Sequence, residues 1–512
     1  MAESRKKNSI KNVIMGLSVQ IVTALLTFVT RTIFIKILGE EYLGINGLFT
    51  NILAVLSLAE LGIGTAIVYS MYQPIKENDT TKLTALVNYY KKLYNIIAII
   101  VLVVGLLILP FLDIIVQLDK PIEHLHLYYV LFLLNSVISY VCVYKTSITI
   151  ATQKEYKLKV YNIIFSFLQF ILQILVLLIF KNFALYLVVQ IFTSLMCNIA
   201  KMKKSEKMFP FIKGKETLEK KDKISIWNNI KSLFLYQIGS VMLNNTDNIL
   251  ISILIGTVYV GYYSNYIMII TTITTFTSLI FTSLQASIGN LNVEASEKRK
   301  YFIFKVIDFM GFWIYGFCAI CFAILFQDFI SLWIGKEFLL TKAVMYTCVF
   351  NFYLQGVLYP IWCYRYTTGL FNHTKYAMLI AVIINIILSI ILGNILGLFG
   401  ILIATSIARL STNMWFEPYK LFKEYFKKNV GKYYLTQLRN IIIVVILVIL
   451  LNVICSQISL TNNILSFVIK CVLCVIVPNT VFFIIFRKTE EFDYLKQIVK
   501  SFYFKLKGKN ET

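Results

Sequence analysis

The chain has 512 residues, of which 58% are hydrophobic and 15% are charged, and its formal net charge at pH 7 is +23. Soluble domains have about 45–50% apolar and about 25% charged residues, so the composition excludes an ordinary soluble protein. The positive charge does not require a nucleic-acid partner, because basic loops beside a bilayer are attracted to anionic membrane lipid.

Apolar runs long enough to cross a bilayer recur along the whole chain, since about 20 residues of helix span its hydrocarbon core. They predict an all-α polytopic membrane protein with about fourteen transmembrane helices. The predicted spans are Val13–Ile37, Tyr42–Met71, Leu93–Leu112, Leu125–Ile150, Val160–Phe180, Phe183–Ala200, Ile230–Ile255, Val258–Ile288, Tyr301–Phe326, Ala343–Tyr366, Tyr376–Leu396, Leu398–Trp415, Ile441–Ile454 and Ile464–Phe486.

The spacing of the spans predicts five regions. Two six-helix lobes at residues 1–200 and 226–420 are separated by a lysine-rich cytoplasmic linker at 201–225, and two further spans lie within 421–486. Apolar residues of the tail at 487–512 share one helical face with lysines off it, which indicates an amphipathic helix at the membrane surface.

The lysine and arginine bias sets the expected orientation, because positive loops are retained in the cytoplasm. With the amino terminus inside, most of the 49 basic residues fall in cytoplasmic segments. We therefore expect a multi-pass protein of the cell membrane with both termini cytoplasmic.

Two local matches indicate an internal repeat. The first match aligns Leu38-Gly39 and Gly44 with Ile255-Gly256 and Gly261, at an offset of 217 residues. The second aligns Tyr144-Lys145 and Tyr156 with Tyr364-Arg365 and Tyr376, at an offset of 220 residues. Because each half has six spans, the repeats are expected to be related by a pseudo-two-fold axis along the membrane normal.

Several ionisable residues fall inside predicted spans, where each costs about 2.5–3.5 kcal/mol to insert at the bilayer centre and must therefore face the interior. Six of them are singled out: Arg31, Glu60, Lys145, Asp247, Arg365 and Arg409. Buried ion pairs or snorkelling side chains are the alternative interpretation. Four cations against two acids favour an anionic passenger such as a phosphate or diphosphate, with Lys145 and Arg365 as repeat mates.

The nine cysteines include two CxxC pairs, Cys318/Cys321 and Cys471/Cys474. Both lie in apolar spans without a nearby histidine, whereas zinc needs four ligands in a polar pocket. We expect packing cysteines, no metal, no cofactor and no catalytic residue.

Several stretches of the chain resemble bacterial polysaccharide flippases of the Wzx type, within the multidrug/oligosaccharidyl-lipid/polysaccharide exporter superfamily. The first two spans carry the most specific likeness. The stretches are RTIFIKILGEEYLGINGLFTNILAVLSLAELGIGTAIVYSMYQPIKENDTTKL, NNTDNILISILIGTVYVGYYSNY, DFISLWIG and NILGLFGILIATSIARLSTNMWFEP.

The resemblance implies alternating access and export of undecaprenyl-diphosphate-linked oligosaccharide repeat units for capsule or surface polysaccharide, with a polymerase and export proteins as further partners. It places Arg31, Glu60, Asp247 and Arg365 where the family has recurrent intramembrane charges. The resemblance also matches the family's glycines to Gly39, Gly44, Gly62 and Gly64, which permit close helix packing or bending.

We accordingly expect Arg31, Lys145, Arg365 and Arg409 to bind substrate and Glu60 and Asp247 to serve coupling or ion pairing. Two alternatives come from the same superfamily: a flippase for a peptidoglycan lipid precursor, and a cation-coupled drug exporter, for which an acid-rich cavity is expected. A membrane-embedded polymerase or ligase, the enzymatic alternative, needs a catalytic surface outside the lipid, and the external connections are short.

Overall fold

The computed structural model describes residues 2–57, 63–118, 122–140, 143–294, 296–368, 371–458 and 462–506, and these residues form two compact units, 1–264 and 265–512. The described segments contain helices and no strand. The all-α fold predicted from the apolar runs is therefore confirmed.

The first unit contains ten helices and the start of an eleventh. These are α1 (Ala2–Leu38), α2 (Glu40–Leu56), α3 (Ile63–Glu77), α4 (Thr80–Ile108), α5 (Leu112–Ile115), α6 (Leu125–Tyr140), α7 (Ser147–Ala151), α8 (Tyr156–Phe180), α9 (Phe183–Met208), α10 (Lys220–Leu254) and α11 (Thr257–Glu294). Within this unit α1 packs along α8, α8 along α9, α9 along α6, and α2 along α10.

The second unit contains the rest of α11 and nine further helices. These are α12 (Glu297–Trp333), α13 (Lys342–Gly356), α14 (Tyr359–Thr368), α15 (Phe371–Leu396), α16 (Leu398–Ser411), α17 (Asn413–Leu421), α18 (Gly431–Ser456), α19 (Asn463–Phe486) and α20 (Glu490–Leu506). Helix α12 is central, because it contacts α13, α14, α18, α19 and α20.

Ten helical segments of the described chain are long and apolar enough to cross a membrane. The other four predicted spans fall on shorter, interrupted or more polar helices, namely α2 with α3, α10, α13 with α14, and α16. Within the described residues, the fourteen predicted spans therefore all coincide with helical segments, and four of them lie on helices that are short, interrupted or comparatively polar.

The outward faces of the peripheral helices are apolar. On α15, Ile383, Ile387 and Ile395 recur at helical spacing, and each side chain is more than half exposed. A large exposed apolar face is rare on a soluble monomer, whereas it is the normal lipid-facing side of a membrane helix. The chain is a multi-pass membrane protein.

The segment between the two predicted lobes is largely helical. Helix α9 continues to Met208, a 3-10 turn covers Pro210–Lys213, and α10 begins at Lys220. Lysine is a good helix former whose charged end is readily solvated, so the lysine-rich ends of both helices extend beyond the apolar spans. The boundaries of the five predicted regions stay a prediction.

The tail forms helix α20, which packs against α12. The Phe492 ring stacks on Trp313 with centroids 5.8 Å apart, and Lys305 forms an ion pair with Glu491 at 2.6 Å. Contact of this helix with the membrane surface remains a prediction.

Candidate functional site

A polar pocket lies within the first unit among α1, α2, α6, α8 and α9, and it has a cavity volume of about 250 Å³. Arg31 of α1 lines it, so we call it the Arg31 pocket. Four carboxamide side chains also line it, those of Asn46, Gln169, Gln173 and Gln190. Such a cluster of polar groups among apolar spanning helices has to be stabilised internally, because lipid offers no hydrogen bonds.

Hydroxyl groups and aromatic rings complete the wall of the Arg31 pocket. The hydroxyls come mainly from Thr23, Thr27, Thr30 and Thr50, and the rings from Phe34, Phe132, Phe170 and Tyr186. Among the described residues that line the pocket, Arg31 is the one charged side chain.

Packing of α1 against α9 places Arg31 at the pocket. One turn beyond Arg31, the Phe34 ring meets Phe183 and Tyr186 edge-on, with centroids 5.7 and 5.3 Å apart. Edge-to-face contacts between aromatic rings are favourable and fix the register of neighbouring helices. The Arg31 guanidinium also donates a hydrogen bond to the Ser264 hydroxyl of α11.

A chain of hydrogen bonds joins α8 to α9 beneath the pocket. The Thr193 hydroxyl donates to the Gln169 carboxamide oxygen at 3.3 Å, and the Gln169 amide donates to Gln173 at 3.3 Å. Gln173 in turn donates to the Tyr186 carbonyl oxygen at 3.4 Å. These bonds satisfy amide groups that would be costly to bury unpaired, and they restrain two of the pocket's four carboxamides, Gln169 and Gln173.

A second feature of the first unit is the close approach of α2 to α11, which we call the glycine contact. It is formed by Gly44 and Gly47 of α2 against Thr257, Val260 and Gly261 of α11. A methyl group at Gly44 would overlap the Thr257 carbonyl group, and one at Gly261 would lie 3.0 Å from the Gly44 nitrogen. Only residues without a β-carbon allow the two backbones to approach this closely.

The glycine contact joins equivalent positions of the predicted repeat, since Gly44 and Gly261 were matched at the offset of 217. Hydrogen bonds flank it. The Tyr262 hydroxyl donates to the Glu40 carboxylate, and the Thr257 amide donates to the Gln117 carbonyl oxygen at 2.7 Å. The start of α11 is thus held to the first unit by backbone as well as side-chain contacts.

Two of the predicted substrate-binding cations have carboxylate partners. Lys145, in the 3-10 turn Val143–Thr146, pairs with Glu206 of α9. In the second unit, Arg365 of α14 pairs with Glu417 of α17 at 2.7 Å, and their side chains are only 3% and 1% exposed. Both acids lie just outside the predicted spans, so the surplus of positive charge is smaller than the sequence count indicated.

The other predicted ionisable residues have different surroundings. The Arg409 guanidinium donates to the Asn351 carbonyl oxygen at 3.0 Å and to the Gln355 side chain at 3.5 Å. Asp247 is buried on α10. Glu60 lies outside the described residues. The assignment of Lys145, Arg365 and Arg409 to substrate, and of Glu60 and Asp247 to coupling or ion pairing, stays a prediction.

The predicted glycines also differ from one another. Gly39 has φ of +91°, a conformation that residues with a side chain rarely adopt, and it lets the chain turn from α1 into α2. A methyl group at Gly64 would lie 2.9 Å from the Tyr90 hydroxyl. Gly62 lies outside the described residues.

Sequence reasoning missed three acids. Glu206 and Glu417 were not counted because they lie beyond the apolar runs, although each falls on a helix that extends one. Asp308 of α12 lies inside a predicted span, is 8% exposed and accepts hydrogen bonds from the Gln437 amide at 3.0 and 3.1 Å. An Asp within an apolar run was the available signal for it.

The two CxxC pairs are brought together by the packing of α12 on α19. The Cys321 sulfur lies 3.9 Å from the Cys474 carbonyl oxygen. Across the described part of the chain, no group of three or more His, Cys, Asp or Glu residues is placed to hold a metal ion.

Comparison with known proteins identifies the family of the chain and supports its fold. Residues 9–285 match the family described as "Polysaccharide biosynthesis protein", and no curated protein sequence matches significantly. Among solved structures, the lipid II flippase MurJ in an inward closed conformation is 15% identical with a TM-score of 0.66, over 93% of this chain and 98% of MurJ.

Two further structures show the same fold. A Vibrio cholerae MATE transporter, VcmN, is 13% identical with a TM-score of 0.58, over 83% of this chain and 99% of that one. A MOP superfamily transporter from Pyrococcus furiosus is 15% identical with a TM-score of 0.54, over 83% and 97%. The chain therefore has the two-lobe transporter fold that these proteins share, as the sequence resemblance implied.

Proposed function

Because the chain belongs to the polysaccharide biosynthesis protein family, we propose that it exports undecaprenyl-diphosphate-linked oligosaccharide repeat units. The repeat units would serve capsule or other surface polysaccharide. The protein would act in the bacterial cell membrane by alternating access, with both termini cytoplasmic. The observation that carries the proposal is the Arg31 pocket, a polar cavity among lipid-facing helices of a chain in this family.

The chemistry of the pocket supports a polar passenger. A drug exporter that binds apolar cations would need apolar walls and a carboxylate, whereas the described walls of the Arg31 pocket offer carboxamides, hydroxyls and one guanidinium. Sugars carry hydroxyl groups that both donate and accept hydrogen bonds, which carboxamides match.

The membrane potential supplies a driving force in the required direction. Moving one elementary charge across the membrane is worth about 2.3 kcal/mol per 100 mV. An anionic diphosphate that leaves a negative cytoplasm moves down this gradient, so export needs no nucleotide hydrolysis to be favourable.

The similarity to the lipid II flippase over 93% of the chain favours a second candidate, a flippase for a peptidoglycan lipid precursor. The two candidates differ in the glycan and not in the lipid diphosphate. A transport assay that offers both substrates therefore separates them.

The test uses the full chain in proteoliposomes that contain a fluorescent lipid-linked oligosaccharide or, in parallel, fluorescent lipid II. An impermeant quencher reports the fraction of each lipid that reaches the outer leaflet. We expect faster exposure of the lipid-linked oligosaccharide than in protein-free vesicles. Transport of lipid II alone would establish the second candidate, and transport of neither would reject both.

A further inference from the structure

A second cavity of the first unit lies where the end of α3 meets the beginnings of α4 and α10, and its volume is about 380 Å³. Volumes of about 300–1,000 Å³ are usual for sites that bind small molecules. We call this cavity the Tyr69 cleft. The side chains that matter for its chemistry are Tyr69, Tyr72, Gln73 and Glu77 of α3, Lys82 of α4 and Asp222 of α10.

The lining side chains of α3 share one face of that helix. Tyr69 is followed by Tyr72 and Gln73 at spacings of three and four residues, which are neighbours on a helix surface. Glu77 lies four residues beyond Gln73, and the Gln73 amide donates a hydrogen bond to its carboxylate at 2.9 Å. Two aromatic rings, a carboxamide and a carboxylate therefore line the cleft side by side.

An ion pair between α4 and α10 also lines the cleft. The Lys82 ammonium lies 3.0 Å from the Asp222 carboxylate. With Glu77, the described lining residues then comprise two carboxylates and one ammonium, so an anionic ligand is repelled. Carboxylates only accept hydrogen bonds, and hydroxyl groups are donors that can supply them. The polar groups thus suit an uncharged ligand with several hydroxyls.

The two tyrosines give the cleft an aromatic corner. Tyr69 and Tyr72 are 68% and 52% exposed, and their rings stand nearly at right angles, at 81°, with centroids 6.3 Å apart. Interfacial tyrosines often form a lipid-facing aromatic belt. These two instead lie on the face of α3 that carries Gln73 and Glu77. The negative face of an aromatic ring attracts weakly positive groups, such as the C–H groups of a sugar ring.

We infer that the Tyr69 cleft binds an uncharged sugar residue of the transported glycan, with its ring against the two tyrosines and its hydroxyls donating to Glu77 and Asp222. The inference rests on the proposed function and gives the glycan a recognition site that shares no described lining residue with the Arg31 pocket. In the proposed orientation the end of α3 is cytoplasmic, so the sugar would be recognised on the side from which the substrate is loaded.

Ligand-observed NMR on the full chain in lipid nanodiscs tests the inference with soluble probes. These are four uncharged sugars, glucose, galactose, mannose and N-acetylglucosamine, together with anionic glucuronate and cationic tetramethylammonium. We expect at least one uncharged sugar to bind, and to bind more tightly than either charged probe. Tyr69→Leu and Tyr72→Leu should each weaken this binding about two- to tenfold, as the energy of an aromatic contact implies.

Tyr376→Leu is the matched control, because Tyr376 of α15 is 60% exposed and is not among the described residues that line the cleft. It should leave sugar binding unchanged. Glu77→Gln keeps a hydrogen-bond acceptor and removes the charge, so glucuronate should then bind nearly as tightly as the uncharged sugar. The inference is overturned if none of the four sugars binds, if both tyrosine variants bind like wild type, or if tetramethylammonium binds best, which would indicate a site for organic cations.

The proteoliposome assay separates this result from the proposed function. Transport of the lipid-linked oligosaccharide by a protein that binds none of the sugars would retain the proposed function and reject the sugar site. Tyrosine-dependent sugar binding without transport would retain the site and reject the flippase.

Discussion

The buried ion pair between Arg365 and Glu417 allows a structural role of Arg365 to be separated from a substrate-binding role. The guanidinium nitrogen and the carboxylate oxygen are 2.7 Å apart, and both side chains are almost completely buried. Removing one partner of such a pair leaves an uncompensated buried charge and costs about 3–5 kcal/mol. Arg365→Gln and Glu417→Gln should therefore each lower the free energy of unfolding by about that amount.

The double variant Arg365→Met with Glu417→Leu removes both charges. Replacing a buried pair by apolar residues of similar volume is often neutral or stabilising, so the double variant should regain most of the lost stability. Together with the single variants Arg365→Met and Glu417→Leu, it completes a double-mutant cycle that gives the coupling energy of the pair. Unfolding in mixed detergent micelles, followed by circular dichroism, measures stability, and the proteoliposome assay measures transport.

Transport by the double variant distinguishes a structural role of Arg365 from a substrate-binding role. If Arg365 acts only through Glu417, the stable double variant should transport at close to the wild-type rate. A stable double variant without transport would instead support the predicted contact of Arg365 with substrate. The reasoning about the pair fails if Arg365→Gln is as stable as wild type.

Three further predictions concern other parts of the chain. Gly44→Ala should weaken the packing of α2 on α11 by about 1–3 kcal/mol, the usual cost of overpacking. Cysteines introduced at the glycine contact should then react faster with thiol reagents. Gly289→Ala is the control and should have neither effect, because a methyl group there meets nothing within 4 Å. A cysteine at Lys181 should react with an impermeant reagent added outside cells, and one at Lys213 should not; reversed labelling would contradict the proposed orientation. Glu206→Gln should cost only about 1 kcal/mol, because its ion pair is partly exposed, and a loss as large as that for Glu417→Gln would show that exposure is a poor guide here.

The long spans could be predicted from sequence because about 20 apolar residues in a row have few alternatives to a membrane helix. The interruption of the tenth predicted span between α13 and α14 is only weakly signalled in the sequence, by Gly356 and by Pro360 in the first turn of α14. Breaks of this kind depend on packing with other helices, which a single span does not reveal.

The candidate site was only partly predictable. Arg31 was conspicuous because a charge inside a span is costly. The carboxamides Gln169, Gln173 and Gln190 were not, because they are uncharged and lie in spans that are otherwise strongly apolar, and the hydrogen bonds that join α8 to α9 cannot be read from either span alone. The partners of Lys145 and Arg365 were missed for a related reason, since they lie far along the chain on helix ends that extend beyond the apolar runs.

The polarity of α10 has a consequence for how the protein is assembled. Its centre carries Asn244, Asn245, Asp247 and Asn248, and α10 is not among the ten helices that are apolar enough to span a membrane by themselves. An Asp at the middle of a segment opposes its release from the translocon into lipid by about 2.5–3.5 kcal/mol. Since α10 packs along α2, we expect it to enter the bilayer efficiently only when the earlier helices are already there. In a glycosylation-mapping assay, which reports the fraction of chains with a segment inserted in the membrane, α10 should insert efficiently when residues 1–219 precede it and poorly when it is presented alone.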